Sequence, residues 1–330
     1  EYVNGRFYRG ILTGFNEAFI VDQETRDRLI AEHPSSAEVL KPFLRGRDVK
    51  RWRVNFSEQY LIKIESSENK QHPWSGKPAK EAEKIFAKTY PAIYEHFKQF
   101  RERLIKRDDQ GKYFWELRSC RYWQEFEQPK IIIPAITQNV EYAADFSGYY
   151  SNDKTSICVA ENVLYILAIL NSKLMWWFIQ NTAAAKQGGF YEFKPMYVSK
   201  IPIVKSDHPE IIETLVNYIL YLTAQLQDIP SHGEGLEQAS TDKLMTSYFE
   251  QIVDALIYEL YLPEELHQGD KYFMRHILPE NLPKLDQIES DKMIKLRQIF
   301  QKLFYKDHPI RKNLFYLDSI EAVRIITGKR

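Results

Sequence analysis

Short apolar runs alternating with turn residues dominate the first two thirds of the chain, and longer helical stripes dominate the last third. Residues 6–22 read as two short strands around a turn punctuated by Gly10 and Gly14. A short helix over Glu24–Glu32 is ended by Pro34, Ser35 and Ser36. Lys41–Arg53 is rich in turn residues, and Tyr60–Ile64 reads as a strand. From Lys80 to Lys106, Ile85, Phe86, Ile93, Phe97, Phe100 and Leu104 recur at helical spacing, with a break near Pro91. Lys130–Ile136 has the length of a buried strand and is ended by Pro134. A turn and a strand follow over Tyr149–Val159, then one apolar helix over 163–180.

Gly188 and Gly189 predict a flexible loop. Beyond residue 205 the pattern is helical. One stripe joins Ile211, Leu215, Ile219 and Leu222; a clearer one runs from Met245 through Phe249, Ile252 and Leu256 to Leu260; a third joins Met293, Phe300 and Leu303. Ser231–Ser240 is polar and reads as an exposed loop between helices. Strands and helices without βαβ regularity predict an α+β fold. Its expected parts are a mixed-sheet α/β module over 1–205 and a helical C-terminal region over 206–330.

Composition narrows the function classes. Of 330 residues, 44% are hydrophobic and 27% charged, which excludes a disordered chain. Lys+Arg (45) and Asp+Glu (45) cancel, so any nucleic-acid partner has to be read from local clusters. Cys120 and Cys158 form no CxxC, and the eight histidines show no ligand spacing, so no metal site is expected. The apolar run at 163–179 is short for a membrane span and is interrupted by Asn171, Ser172 and Lys173. No signal peptide is visible, and a cytoplasmic protein without a membrane partner is expected. The first residue is Glu1 rather than Met, which suggests a fragment.

Three stretches carry candidate chemistry. Lys41, Arg45, Arg47, Lys50, Arg51 and Arg53 crowd one turn-rich segment against a single acid, Asp48. Such a cluster can neutralise phosphates, and an arginine can pair with guanine. A solvated turn with local ion pairs would look the same in sequence. Residues 112–123 interleave Arg118 and Arg121 with aromatics, which suits a nucleic-acid surface and equally a half-buried strand. Lys186, Gln187 and Lys194 flank the Gly188–Gly189 pair, in a loop that could enter a groove or merely connect. Glu192-Phe193-Lys194 also spells half of a nuclease metal site, but no aspartate partner stands at strand-like spacing. There is no Asn-Pro-Pro-Tyr/Phe, no P-loop, no GxSxG and no glycine-rich nucleotide loop.

Taken in order, the segments resemble one family. FYRGILTGFNEAFIVD (7–22), KPFLRGRDVKRW (41–52), YPAIYEHFKQF (90–100), FWELRSCRYW (114–123) and PKIIIPAI (129–136) resemble signatures of the TaqI-like C-terminal specificity domain. GYYSNDKTSICV (148–159), YILAILNSKLMWWF (165–178), GGFYEFKPMYVSKIPIV (188–204) and VDALIYELY (253–261) continue the resemblance to about residue 262. The resemblance implies target recognition on double-stranded DNA for an adenine-N6 methyltransferase or a type IIG restriction-modification enzyme. It implies that the catalytic domain, with S-adenosylmethionine and in some members magnesium, lies elsewhere in the same polypeptide. It then points to Lys and Arg of 41–53 as phosphate anchors, and to Arg118, Arg121, Asn152, Lys154, Lys186 and Gln187 as candidates for reaching base edges. Two other readings stay open: a nuclease or methylase fragment with its own activity, and a helical protein-interaction module.

Overall fold

The computed structural model describes residues 2–193, 195–226 and 236–329. A central antiparallel sheet organises the N-terminal part. Its strands lie in the order Phe7–Arg9, Thr155–Val159, Lys130–Pro134, Ala143–Asp145. Ile132 stands opposite Ile157, and Ile131 opposite Cys158. All five residues of each middle strand are buried. Successive side chains of a strand face opposite sides, and the two faces serve different cores. Ile131, Ile133 and Cys158 point into a core shared with the C-terminal helices, while Ile132, Ile157 and Val159 point into the core of the first 160 residues. A strand covered on both sides reads as the unbroken run Ile131-Ile132-Ile133 rather than as an alternation.

A second sheet, in the order Tyr150–Ser151, Leu40–Leu44, Gln59–Ile62, Ile20–Asp22, covers the N-terminal core. Only the pairing of Tyr150–Ser151 with Leu40–Leu44 is parallel. The helix Gln23–Glu32 starts on Asp22, whose carboxylate accepts from the Thr25 amide. The expected helical stretch 80–106 is three helices, Ala79–Thr89, Pro91–Lys98 and Arg101–Ile105, with Pro91 opening the second. Residues 113–123 are not a strand. Trp115 and Leu117 are buried within an irregular segment.

The apolar stretch 163–180 differs from its expected single helix. It is two helices, Val163–Leu170 and Lys173–Thr182, bent by 63°. The cause lies in Asn171 and Ser172. The Asn171 amide is fully buried and bonds both backbone groups of Tyr142, accepting from its N–H and donating to its C=O. Ser172 then caps the second helix through the Met175 amide. No single helix among the described residues is long and apolar enough to cross a membrane.

The C-terminal stripes form Pro209–Gln225, Leu236–Tyr261 and Lys292–Leu303. These helices share one core with 163–182 and with one face of the central sheet. The polar stretch 231–240 was expected to be a loop. Residues 236–240 are instead the start of the 236–261 helix, and 231–235 lie outside the described residues.

Candidate nucleic-acid interface

At one end of the central sheet, three loops converge on an open cleft of about 730 Å³. Its first wall is the basic turn after strand Leu40–Leu44. Arg45 does not reach outward: its guanidinium bonds both carboxylate oxygens of Asp48 and the Ser57 hydroxyl, while its own N–H donates to Asp48 at 2.7 Å. That clamp fixes the turn Gly46–Asp48 and leaves Arg47 exposed, with no ion pair or hydrogen bond from its side chain among the described residues. Lys50 faces Glu141 at 3.6 Å.

The second wall is the turn joining Tyr150–Ser151 to Thr155–Val159. The Thr155 amide closes it on the Asn152 carbonyl at 2.9 Å. Glycine backbones hold it on two sides. A Cβ on Gly10 would sit 1.8 Å from the Asn152 oxygen, and one on Gly46 would sit 3.0 Å from the Lys154 oxygen. Only residues without side chains let these three segments approach so closely. Asn152 and Lys154 therefore line the cleft, with Lys154 72% exposed.

The third wall is a hairpin where the sequence suggested a flexible loop. Strands Ala185–Lys186 and Phe190–Glu192 pair antiparallel, and the latter pairs with Ile136–Thr137. Gly188 and Gly189 both take left-handed φ, +78° and +76°, which glycine adopts without strain. The Gln138 side-chain amide donates to the Gly188 carbonyl at 2.9 Å and ties the hairpin tip to the rim. Phe190 and Ile136 leave large apolar side chains exposed beside the cleft, at 38% and 51%. Lys186 points to Glu192 at 3.8 Å, Gln187 is exposed, and Lys194 lies outside the described residues.

Among the cleft's lining residues are four cations, Arg45, Arg47, Lys50 and Lys154, and one carboxylate, Glu141. Three of these cations face a carboxylate, Arg45 that of Asp48, Lys50 that of Glu141 and Lys154 that of Asp153, and Arg47 has no ion pair among the described residues. Other basic candidates lie elsewhere. Lys41 is half-buried on strand Leu40–Leu44; the Tyr150 hydrogen bond first, then the charges of Lys63 and Lys41, hold the Glu127 carboxyl below its ordinary range. Arg53 lines a shallower cleft at the seam with the helices. Arg118 pairs with Asp109 at 3.0 Å; Arg121 is exposed, and both border a smaller cleft of about 310 Å³ with Arg9.

Arg51 joins the two parts of the molecule. Its guanidinium bonds Glu250 at 2.7 Å and the Asn171 carbonyl at 3.0 Å, and stacks over Trp52. Arg51→Met is therefore expected to lower stability by about 1.5–3 kcal/mol, the range for hydrogen bonds to charged groups. Its duplex affinity at different salt concentrations should match the wild type's. A change in urea midpoint with no change in salt dependence would bear this out, and the reverse pattern would contradict it.

Ile136, Gln138 and Phe190 were not singled out from sequence. The run Thr137-Gln138-Asn139 directly after a buried strand, polar and amide-bearing, was the available signal for a rim.

The family model for the TaqI-like C-terminal specificity domain matches residues 41–203, a span that holds all three walls of the cleft. The Type II methyltransferase M.MjaIV of Methanocaldococcus jannaschii is 24% identical over 235 residues, 67% of this chain and 72% of that protein. A solved structure of the Type IIL restriction-modification enzyme MmeI in complex with DNA superposes with a TM-score of 0.51 at 14% identity, over 90% of this chain. The chain spans 35% of that structure's length, so the likeness is one of fold. On these grounds residues 41–203 are similar to the TaqI-like C-terminal specificity domain.

Proposed function

We propose that this chain reads the target sequence on double-stranded DNA for an adenine-N6 methyltransferase or a type IIG restriction-modification enzyme. The observation that carries the reading is the cleft itself. Exposed cations, amide side chains and a glycine-tipped hairpin converge on one groove inside the segment that matches a specificity domain. Arg47 and Lys154 suit phosphates or guanine edges; Gln187, Gln138 and Asn152 have the donor and acceptor pair that fits adenine. The exposed Phe190 and Ile136 offer apolar contact to thymine methyls or an unstacked step. That the relative is a methyltransferase and the structural neighbour a restriction-modification enzyme bound to DNA supports the partner and the system.

The chemistry is assigned to another domain of the same polypeptide, acting in the cytoplasm. S-adenosylmethionine does not fit the Gly10–Gly14 turn. Gly10 is filled by the Asn152 backbone, and Gly14 by the Arg107 and Asp109 side chains, so neither leaves a cradle for a ligand. Glu192, the acid of the possible nuclease tripeptide, is 8% exposed and faces Lys186. Magnesium, where the parent enzyme uses it, is likewise assigned outside this chain.

Duplex binding by the purified chain tests the reading. Affinity is expected to fall steeply with salt, and a chain grafted onto a related methylase should change the sequence that becomes methylated. No duplex binding at low salt, together with an unchanged methylated sequence after grafting, would overturn it.

A further inference from the structure

One acidic side chain sits in the middle of the basic face. Asp153 occupies the turn whose neighbours line the main cleft, and its Oδ2 meets two cations at once. Arg9 Nη2 stands at 3.3 Å and Lys154 Nζ at 3.1 Å. The carboxylate is only 15% exposed, whereas Arg9 is 61% and Lys154 72% exposed. Lys154 belongs to the main cleft; Arg9 belongs to the smaller cleft with Arg118 and Arg121. Asp153 thus lies where the two clefts meet, as an anion flanked by a cation from each.

A single oxygen bridging two exposed cations is the arrangement a backbone phosphate makes on such a surface. We propose that Asp153 stands in for a DNA phosphate in the unbound protein, and that the two clefts form one continuous phosphate track in which Arg9 takes part. The proposal rests on the DNA reading above. Exposed ion pairs of this kind are weak, so the phosphate displaces the carboxylate readily. Asp153 cannot leave, because the backbone of its turn is pinned between Gly10 and Gly46. It stays beside the bound strand as a repulsive charge. Loose, sequence-independent binding is therefore held down, and only contacts to base edges offset the repulsion.

The test is the affinity of the whole chain for a random-sequence duplex over a range of salt concentrations. Removing the charge in Asp153→Asn should tighten binding roughly fourfold, the Coulomb interaction of two unit charges about 5 Å apart in water. It should also steepen the log–log salt slope by about 0.9, since no cation need be retained by the carboxylate. Arg9→Gln should make the slope shallower by about 0.9. Wild-type binding with the same affinity and slope in Asp153→Asn overturns this proposal and leaves the DNA reading standing. No wild-type duplex binding overturns both. Should Asp153→Asn fail to fold, the double variant Arg9→Gln/Lys154→Gln decides: a slope reduced by about 1.8 supports the track, and an unchanged slope overturns it.

Discussion

Replacing Lys130 with methionine is expected to destabilise the chain by about 3–5 kcal/mol, the range for removing one partner of a buried ion pair. Lys130 is fully buried on the central sheet, and its ammonium bonds Asp145 at 2.5 Å and the Phe126 carbonyl. Burial pushes the Lys130 pKa down and the Asp145 charge pushes back. Asp145 is 3% exposed and also accepts from the Ser147 and Tyr149 amides at 2.7 and 2.9 Å. Methionine fills the space but leaves the carboxylate charged in an apolar setting. Adding Asp145→Asn should recover only part of the loss, because the amide accepts less well from both backbone donors. Urea unfolding measures it through a lower midpoint at unchanged slope. A midpoint equal to the wild type's would contradict the buried pair. The sheet that Lys130 anchors leads directly into Pro134–Gln138, one edge of the cleft, so the same variant should lose duplex binding as it unfolds.

The second large effect is electrostatic and local. Arg47→Gln, Lys50→Gln and Lys154→Gln together remove three of the four cations that line the cleft. If each meets one phosphate, the log–log salt slope falls by about 2.7, so the affinity lost between 50 and 200 mM salt shrinks roughly 40-fold. The weakening should be uniform across sequences if all three contact phosphates. If Arg47 pairs with guanine instead, Arg47→Gln alone should cost about 1–3 kcal/mol on the cognate site and relax one position. Binding with an unaltered slope in the triple variant would contradict the placement of DNA in this cleft. All three side chains are exposed or half-exposed, and none belongs to either apolar core, so folding should be preserved.

The elements were more legible in the sequence than their partners. Helical spacing located Pro209–Gln225, Lys292–Leu303 and most of Leu236–Tyr261 through their apolar stripes, although residues 252–258 of the last are buried all round. The run Lys130–Pro134 was legible as a strand by its length and its proline. Nothing in one dimension could show that its alternate residues serve two different cores. Asn171 and Ser172 were visible as interruptions of an apolar stretch. Ser172 is a common capping residue, so the break between the two helices could have been drawn there. The reason the break is stable, the Asn171 amide filling the backbone bonds of Tyr142, depends on a residue 29 positions away.

The basic segment 41–53 illustrates the same limit at the site. Its six cations look equivalent in sequence, and their fates separate through contacts. Arg45 is taken up by Asp48 three residues on, a pairing that spacing could suggest. Arg51 is taken up by Glu250, 199 residues on, which spacing cannot. Arg47 stays free for a partner. Conversely, Arg9 gave no signal of its own, because its importance arises from Asp153 and Lys154 across the sheet.

The central claim is that this chain reads DNA sequence, and selection from a pool of random duplexes tests it most directly. Rounds of binding at moderate salt, followed by sequencing, should enrich one short motif. The same selection with Gln187→Ala should relax a single position within it. Binding that is retained through the rounds with no enrichment over the starting pool would contradict the account, because phosphate contacts alone would then explain it.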